Sequence, residues 1–173
     1  MKGLSKTELQ VVAHLEFEEK YYFTRSDIVH LFRDKRQMTN TLYTLSKKER
    51  IHRLNKDKYF LVPVKARSGT WVDNPLRVSD EMLNSNKYFI GGWYAAYYWK
   101  LTDQVPVQVD IYTTKRQGKI KIMNKRYVFH RTTRNNLHKG ILQKVEGHSC
   151  RILDKEYAKK WLKSKRQVTT RLN

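Results

Sequence analysis

The stretch DKRQMTNTLYTLSKKERIHRLNKDKYFLV, residues 34–62, changes its period halfway along and so decides the fold. From Asp34 to Lys48 the apolar residues Met38, Leu42 and Leu45 recur at helical spacing. At about 100° per residue these three fall within roughly 60° of one another and form one buried stripe. From Ile51 onward the pattern shortens. Ile51-His52-Arg53-Leu54 and Lys58-Tyr59-Phe60-Leu61-Val62 are strand-like, and Asn55-Lys56-Asp57 between them has turn composition. A helix followed by a β-hairpin is predicted.

Working back from this stretch, three capping signatures set three helices. Ser5-Lys6-Thr7-Glu8 precedes Leu9, Val12 and Leu15; Thr24-Arg25-Ser26-Asp27 precedes Ile28, Leu31 and Phe32; Asp34-Lys35-Arg36-Gln37 opens the helix already described. In each, a side-chain oxygen satisfies free backbone N–H groups and the residue three later reaches back. Three helices and a hairpin in this order predict a winged helix-turn-helix over residues 1–66. The third helix would read DNA. Opposite its buried stripe lie Arg36, Asn40, Tyr43 and Lys47, with Gln37 and Thr44 on the flank. Arg, Asn and Gln carry the paired donors and acceptors that discriminate bases in the major groove. Arg25 and Ser26, at the start of the preceding helix, suit a phosphate oxygen. Arg53, Lys56 and Lys58 would arm the wing. A solvated helix face is the plainer alternative, and Gln37 has a competing capping role.

The composition favours such a partner. The 173 residues hold 36 Lys+Arg against 16 Asp+Glu, a formal charge of +20. A charge excess of this size points to a polyanion, nucleic acid before an anionic membrane. With 39% hydrophobic residues there is material for a packed core. The longest uncharged apolar stretch, Tyr88 to Trp99, falls short of the roughly 20 residues a membrane helix needs. One cysteine, Cys150, excludes an internal disulfide and points to a reducing compartment, hence the cytoplasm. Met1-Lys2-Gly3-Leu4-Ser5 lacks the apolar run of a signal peptide.

The segment Val64 to Thr70, polar and just past Pro63, marks the boundary to a second domain over residues 70–173. This part reads as a small mixed α/β domain with an antiparallel-type sheet, making the whole chain α+β. Helices are predicted at Pro75 to Leu83, Trp93 to Lys100 and Asp154 to Lys165, the last with Tyr157, Trp161 and Leu162 inward. Strands are predicted at Tyr88 to Ile90, Val105 to Thr114, Lys119 to Met123 and Arg126 to Thr132. Gly91-Gly92 fits a strand-to-helix turn, with an anion site as the alternative. The cluster Trp93, Tyr94, Tyr97, Tyr98 and Trp99 reads as core at helical spacing, with base stacking as its alternative. Ile111 to Val145 carries ten Lys/Arg and no Asp or Glu. Lys115, Arg116, Lys119, Lys121, Lys125, Arg126, Arg131 and Arg134 within it form a second candidate basic surface.

Two stretches carry a resemblance. One runs from Tyr22-Phe23-Thr24 through Leu42, Leu45 and Ile51-His52-Arg53-Leu54 to Lys58-Tyr59-Phe60-Leu61-Val62-Pro63. The other is Tyr88-Phe89-Ile90-Gly91-Gly92-Trp93-Tyr94-Ala95-Ala96 followed by Leu101-Thr102-Asp103-Gln104-Val105-Pro106. Over roughly residues 5 to 153 the chain resembles the AbiEi-type antitoxins of bacterial abortive-infection, type IV toxin–antitoxin, systems. The resemblance implies an N-terminal winged helix that represses its own operon at inverted repeats in double-stranded DNA. It also implies a C-terminal domain that antagonises a nucleotidyltransferase toxin without a stable complex. A monomer or weak dimer is the expected assembly. The alternative is a general nucleic-acid-binding protein, or an accessory subunit of a nucleic-acid enzyme, motivated by the acid-free basic stretch.

Enzyme chemistry finds little support in the sequence. A nuclease needs clustered carboxylates for Mg²⁺, and no acidic residue after Thr70 begins an Asp/Glu-x-Lys triplet. Glu18-Glu19-Lys20 fits that pattern but ends the first helix. The Gly-Ser and Asp-x-Asp pattern of a nucleotidyltransferase and the phosphate-cradling Gly-x-x-x-x-Gly-Lys are missing. The six histidines show no metal-ligand helix spacing, and His148-Ser149-Cys150 lacks two further ligands nearby. No Ser/His/Asp set can be assembled. No catalytic residue, metal or cofactor is expected.

Overall fold

Ser5 opens the first helix by a reciprocal bond. Its Oγ accepts the Glu8 N–H at 3.3 Å, and Glu8 Oε2 accepts the Ser5 N–H at 2.6 Å. Helix α1 then runs Lys6–Phe17. This computed structural model describes residues 3–64, 74–85, 87–122 and 124–170, the last five by backbone alone. The chain divides into two compact units, Met1–Trp71 and Val72–Asn173. The expected linker lies outside the described residues from Lys65 on.

In the first unit the Asp34 signature also makes a helix. Asp34 Oδ1 accepts the Gln37 N–H at 2.8 Å and α2 runs Lys35–Lys47. The middle signature does not. Asp27 Oδ2 accepts both the N–H and the hydroxyl of Thr24 at 2.7 Å, yet a bend and a single 3₁₀ turn, Val29–Leu31, follow. The expected second α-helix is therefore corrected to one turn. Thr24 is held in strand β1, Tyr22–Thr24, and Phe32 is already extended two residues before the Asp34 cap. β-branched Ile28 and Val29 add little helix propensity to so short a segment.

Strands β2, Ile51–Arg53, and β3, Lys58–Leu61, form the expected hairpin. Strand β1, unanticipated at three residues, adds to the other side of β3, giving an antiparallel sheet in the order β1-β3-β2. Phe23 stacks on Tyr59 across the β1–β3 pair, with ring centroids 5.5 Å apart. The core gathers Val11, Val12 and Leu15 of α1, Ile28, and the expected α2 stripe of Met38, Leu42 and Leu45. Glu8 is buried among them, its side chain 4% exposed, and takes Lys48 Nζ at 2.7 Å. Lys48 also donates to the Gly3 carbonyl at 2.8 Å.

The second unit contains α3, Pro75–Leu83; β4, Tyr88–Gly91; α4, Gly92–Tyr98; β5, Gln108–Thr113; β6, Gly118–Ile122; β7, Lys125–Arg131; a 3₁₀ turn, Arg134–Lys139; β8, Gly140–Val145; β9, His148–Leu153; and α5, Lys155–Thr170. The sheet order is β6-β7-β5-β4-β9-β8. It is mixed rather than antiparallel throughout, because β5–β7 and β4–β9 pair parallel. The β8–β9 hairpin was not anticipated; it turns at Glu146 and Gly147, both at positive φ.

Register sorts the sheet's residues into two faces. Tyr88, Ile90, Val109, Ile111, Tyr127, Phe129, Cys150 and Ile152 share one face and are all buried. On that side the Tyr88 hydroxyl donates to Asp80 of α3 at 2.8 Å. Helix α4 packs on β5, and α5 on α4. The other face bears exposed Lys119, Lys121 and Arg126 toward the β6 edge, half-buried Tyr112 and His130, and buried Phe89, Asp110 and Val128. On α5, Ala158 and Leu162 turn inward and Trp161 is half-buried, but Tyr157 is exposed beside Lys139, correcting its expected inward position. Of the aromatic cluster around α4, Tyr94 alone is buried; Trp99 is half-buried and donates from Nε1 to the Leu153 carbonyl at 2.7 Å. Gly91-Gly92 does turn strand into helix. Gly92 sits at φ +60°, and a Cβ there would meet Asp110 Oδ2 at 2.6 Å. Burial raises the Cys150 thiol pKa to about 12, with Asp80 adding to the effect.

Burial alone would raise the Glu8 pKa, but the bonds from Lys48, Ser5 and Thr44 outweigh it and lower the carboxyl from 4.5 to about 2. That stabilisation is complete above pH 4.5 and fades as the pH falls toward 2. Asp27, held at about 2 against burial by Thr24 and Lys20, titrates in the same window. Glu8→Gln is expected to lose about 3 kcal/mol at neutral pH in urea denaturation, with the gap to wild type closing in acid. Gly92→Ala is expected to destabilise the second unit by about 1–3 kcal/mol in thermal unfolding, combining left-handed strain with the Asp110 clash.

Candidate nucleic-acid interface

Helix α2 presents a continuous polar face because its apolar stripe is wholly used by the core. Arg36, Asn40, Tyr43 and Lys47 are all exposed, Tyr43 at 62%. Lys47 Nζ stands 5.5 Å from the Tyr43 ring centroid, a cation–π pair one turn apart. No acidic residue occurs between Lys35 and Lys47, so nothing on the helix opposes a polyanion. Thr39 is exposed on the border of the same face and was not singled out by sequence. Its position about 100° from Met38 was the available signal.

Two flank residues turn away from this face. Gln37 Oε1 accepts the Arg33 N–H at 3.1 Å, so its side chain serves the cap. The Thr44 hydroxyl donates to the Thr41 carbonyl at 3.0 Å and also bonds Glu8, placing it toward α1. Lys48, one residue past the helix, belongs to the Glu8 pair rather than to the outward face.

Arg25 and Ser26 are exposed, but the expected helix N-terminus behind them is a turn. The Asp27 and Ile28 N–H groups bond the Thr24 and Arg25 carbonyls, each at 3.3 Å. Arg25 thus offers a charge without aligned free N–H groups. In the hairpin, Arg53 is drawn onto its own turn, with Nε to the Asn55 carbonyl at 2.9 Å and Nη2 to the Lys56 carbonyl at 3.1 Å. Asn55 Oδ1 accepts the Asp57 and Lys58 N–H groups, both at 2.9 Å. The hairpin tip is therefore fixed by side chains, and Lys56, 87% exposed, projects from it. Lys58 is half-buried. Burial lowers the pKa of nearby His52, keeping that imidazole neutral.

The second basic set does not converge on one patch. Lys119 and Lys121 project from edge strand β6, with Arg126 opposite Lys121. Arg116 instead lies over the Phe129 ring, 3.4 Å from its centroid, and Lys125 Nζ donates to the Pro106 carbonyl at 2.8 Å. Lys115, Arg131 and Arg134 are exposed at element ends. Among the described residues, no three His, Cys, Asp or Glu side chains stand together as a metal-binding group, and no helix is long and apolar enough to cross a membrane. No protein-family model matches this chain, and no curated protein sequence matches it.

Proposed function

We propose that this chain is a DNA-binding transcriptional regulator, acting without catalysis, whose first unit is a winged helix-turn-helix that lays α2 in the major groove. The observation that carries this reading is the outward face of α2. Arg36, Asn40, Tyr43 and Lys47 stand exposed on an acid-free helix whose opposite side is locked into the core. The chain order supports it: helix, strand, one-turn helix, helix, hairpin, with the first strand on the far side of the hairpin's second strand. In this arrangement the turn Val29–Leu31 crosses the backbone, α2 reads base edges and Lys56 reaches a phosphate from the wing. Arg36 suits guanine and Asn40 adenine.

Autorepression at inverted repeats, and antagonism of a nucleotidyltransferase toxin in the cytoplasm, extend this reading on the strength of the resemblance to AbiEi-type antitoxins. Footprinting the full chain on its own upstream DNA at several salt concentrations tests the proposal. Protection of a defined site is expected; protection indifferent to sequence overturns it. Asn40→Ala should relax base preference at one position and cost about 1–3 kcal/mol of specific affinity. Lys56→Ala should weaken every sequence alike and reduce the salt slope by about one. Growth rescue on co-expression with a neighbouring nucleotidyltransferase tests the antitoxin role, and growth arrest despite the chain removes it.

A further inference from the structure

On the face of the second unit's sheet that carries Lys119 and Lys121, three rings form a row across β4, β5 and β7. Phe89 and Tyr112 stack with centroids 5.0 Å apart and planes 9° apart; Tyr112 and His130 stack at 4.8 Å and 22°. Exposure rises along the row. Phe89 is 5% exposed, Tyr112 is half-buried and the His130 side chain is 39% exposed. Both faces of Tyr112 are covered by rings, whereas among the described residues His130 stacks on Tyr112 only.

The row is held in place before any partner arrives. Asp110, 9% exposed, accepts Gln108 Nε2 at 2.7 Å and lies 2.8 Å from His130 Nε2, so the imidazole is pinned by its edge while its side chain stays partly exposed. Gly91 makes room for Tyr112, since a Cβ there would stand 2.7 Å from its Cε2. Beyond the row lie Lys119, Lys121 and Arg126 on the same face, and β6 and β7 contain no acidic residue. Edge lysines alone are accounted for by protection against strand-to-strand pairing. A pinned aromatic row ending one register step from Lys119, with Lys121 and Arg126 farther along the strands, is not.

We propose that this face binds single-stranded nucleic acid, one base extending the row by stacking on His130 while neighbouring phosphates meet Lys119, Lys121 and Arg126. Positive charge beside an open ring face fits a strand with unpaired bases, because a duplex keeps its base faces stacked inside. This site stands apart from the duplex reading of the first unit and does not depend on it.

The test is fluorescence anisotropy of the full chain with labelled 12-mers of dT and rU, beside a duplex of equal length. Wild type is expected to bind the single strands, and the better of the two chemistries identifies DNA or RNA as the natural source. His130→Ala should weaken single-strand binding about ten-fold, whereas His130→Phe should retain it by restoring a stacking face without the Asp110 bond. The exposed pair Lys119→Ala and Lys121→Ala, which leaves the core untouched, should reduce the single-strand salt slope by more than one. The substitutions Arg36→Ala and Asn40→Ala should leave single-strand affinity within two-fold. Wild-type affinity in the lysine double variant overturns the proposal. So does equal weakening of single strand and duplex by His130→Ala.

Discussion

A single carboxylate, that of Glu8, fixes how the first unit can present itself. It closes the cap of α1 through Ser5 and grips Lys48 just past the end of α2. Lys48 lies near the buried side of α2, so the pair fixes the helix's rotation about its own axis as well as its distance from α1. With that rotation set, Met38, Leu42 and Leu45 face the core and Arg36, Asn40 and Tyr43 must face out. Leaving the buried Glu8 carboxylate unpaired would be costly, which makes the arrangement strict.

The second unit uses a similar device. Asp110 is close to buried and holds Gln108 and His130, and the absence of a side chain at Gly92 makes space for it. In both units a buried acid orients basic or aromatic groups that reach the surface.

Much of the fold was legible because periodicity and capping are local. Ser5-Glu8 and Asp34-Gln37 gave α1 and α2, and the changed period after Ile51 gave the hairpin. Thr24-Asp27 made the same kind of bonds without a helix, since β1 claimed Thr24 through pairing with Lys58 on β3, far along the chain. The β8–β9 hairpin escaped notice because Gln143, Lys144 and Arg151 interrupt its apolar pattern, and the parallel pairings depend on partners that sequence does not display. Side-chain direction was the least legible level. Gln37, Arg53, Arg116 and Lys125 have the composition of a binding surface, yet each is engaged by a neighbour: a cap, a turn, a ring or a carbonyl.

Cys150 lies fully buried on the covered face of the sheet, its thiol shifted far from ionisation. The nucleophile of cysteine is the thiolate, so the folded chain offers thiol-directed reagents no thiolate to attack. A cysteine introduced at an exposed position becomes the sole reactive thiol of the molecule. Dyes, spin labels or crosslinkers can then be attached to either unit of an otherwise native chain.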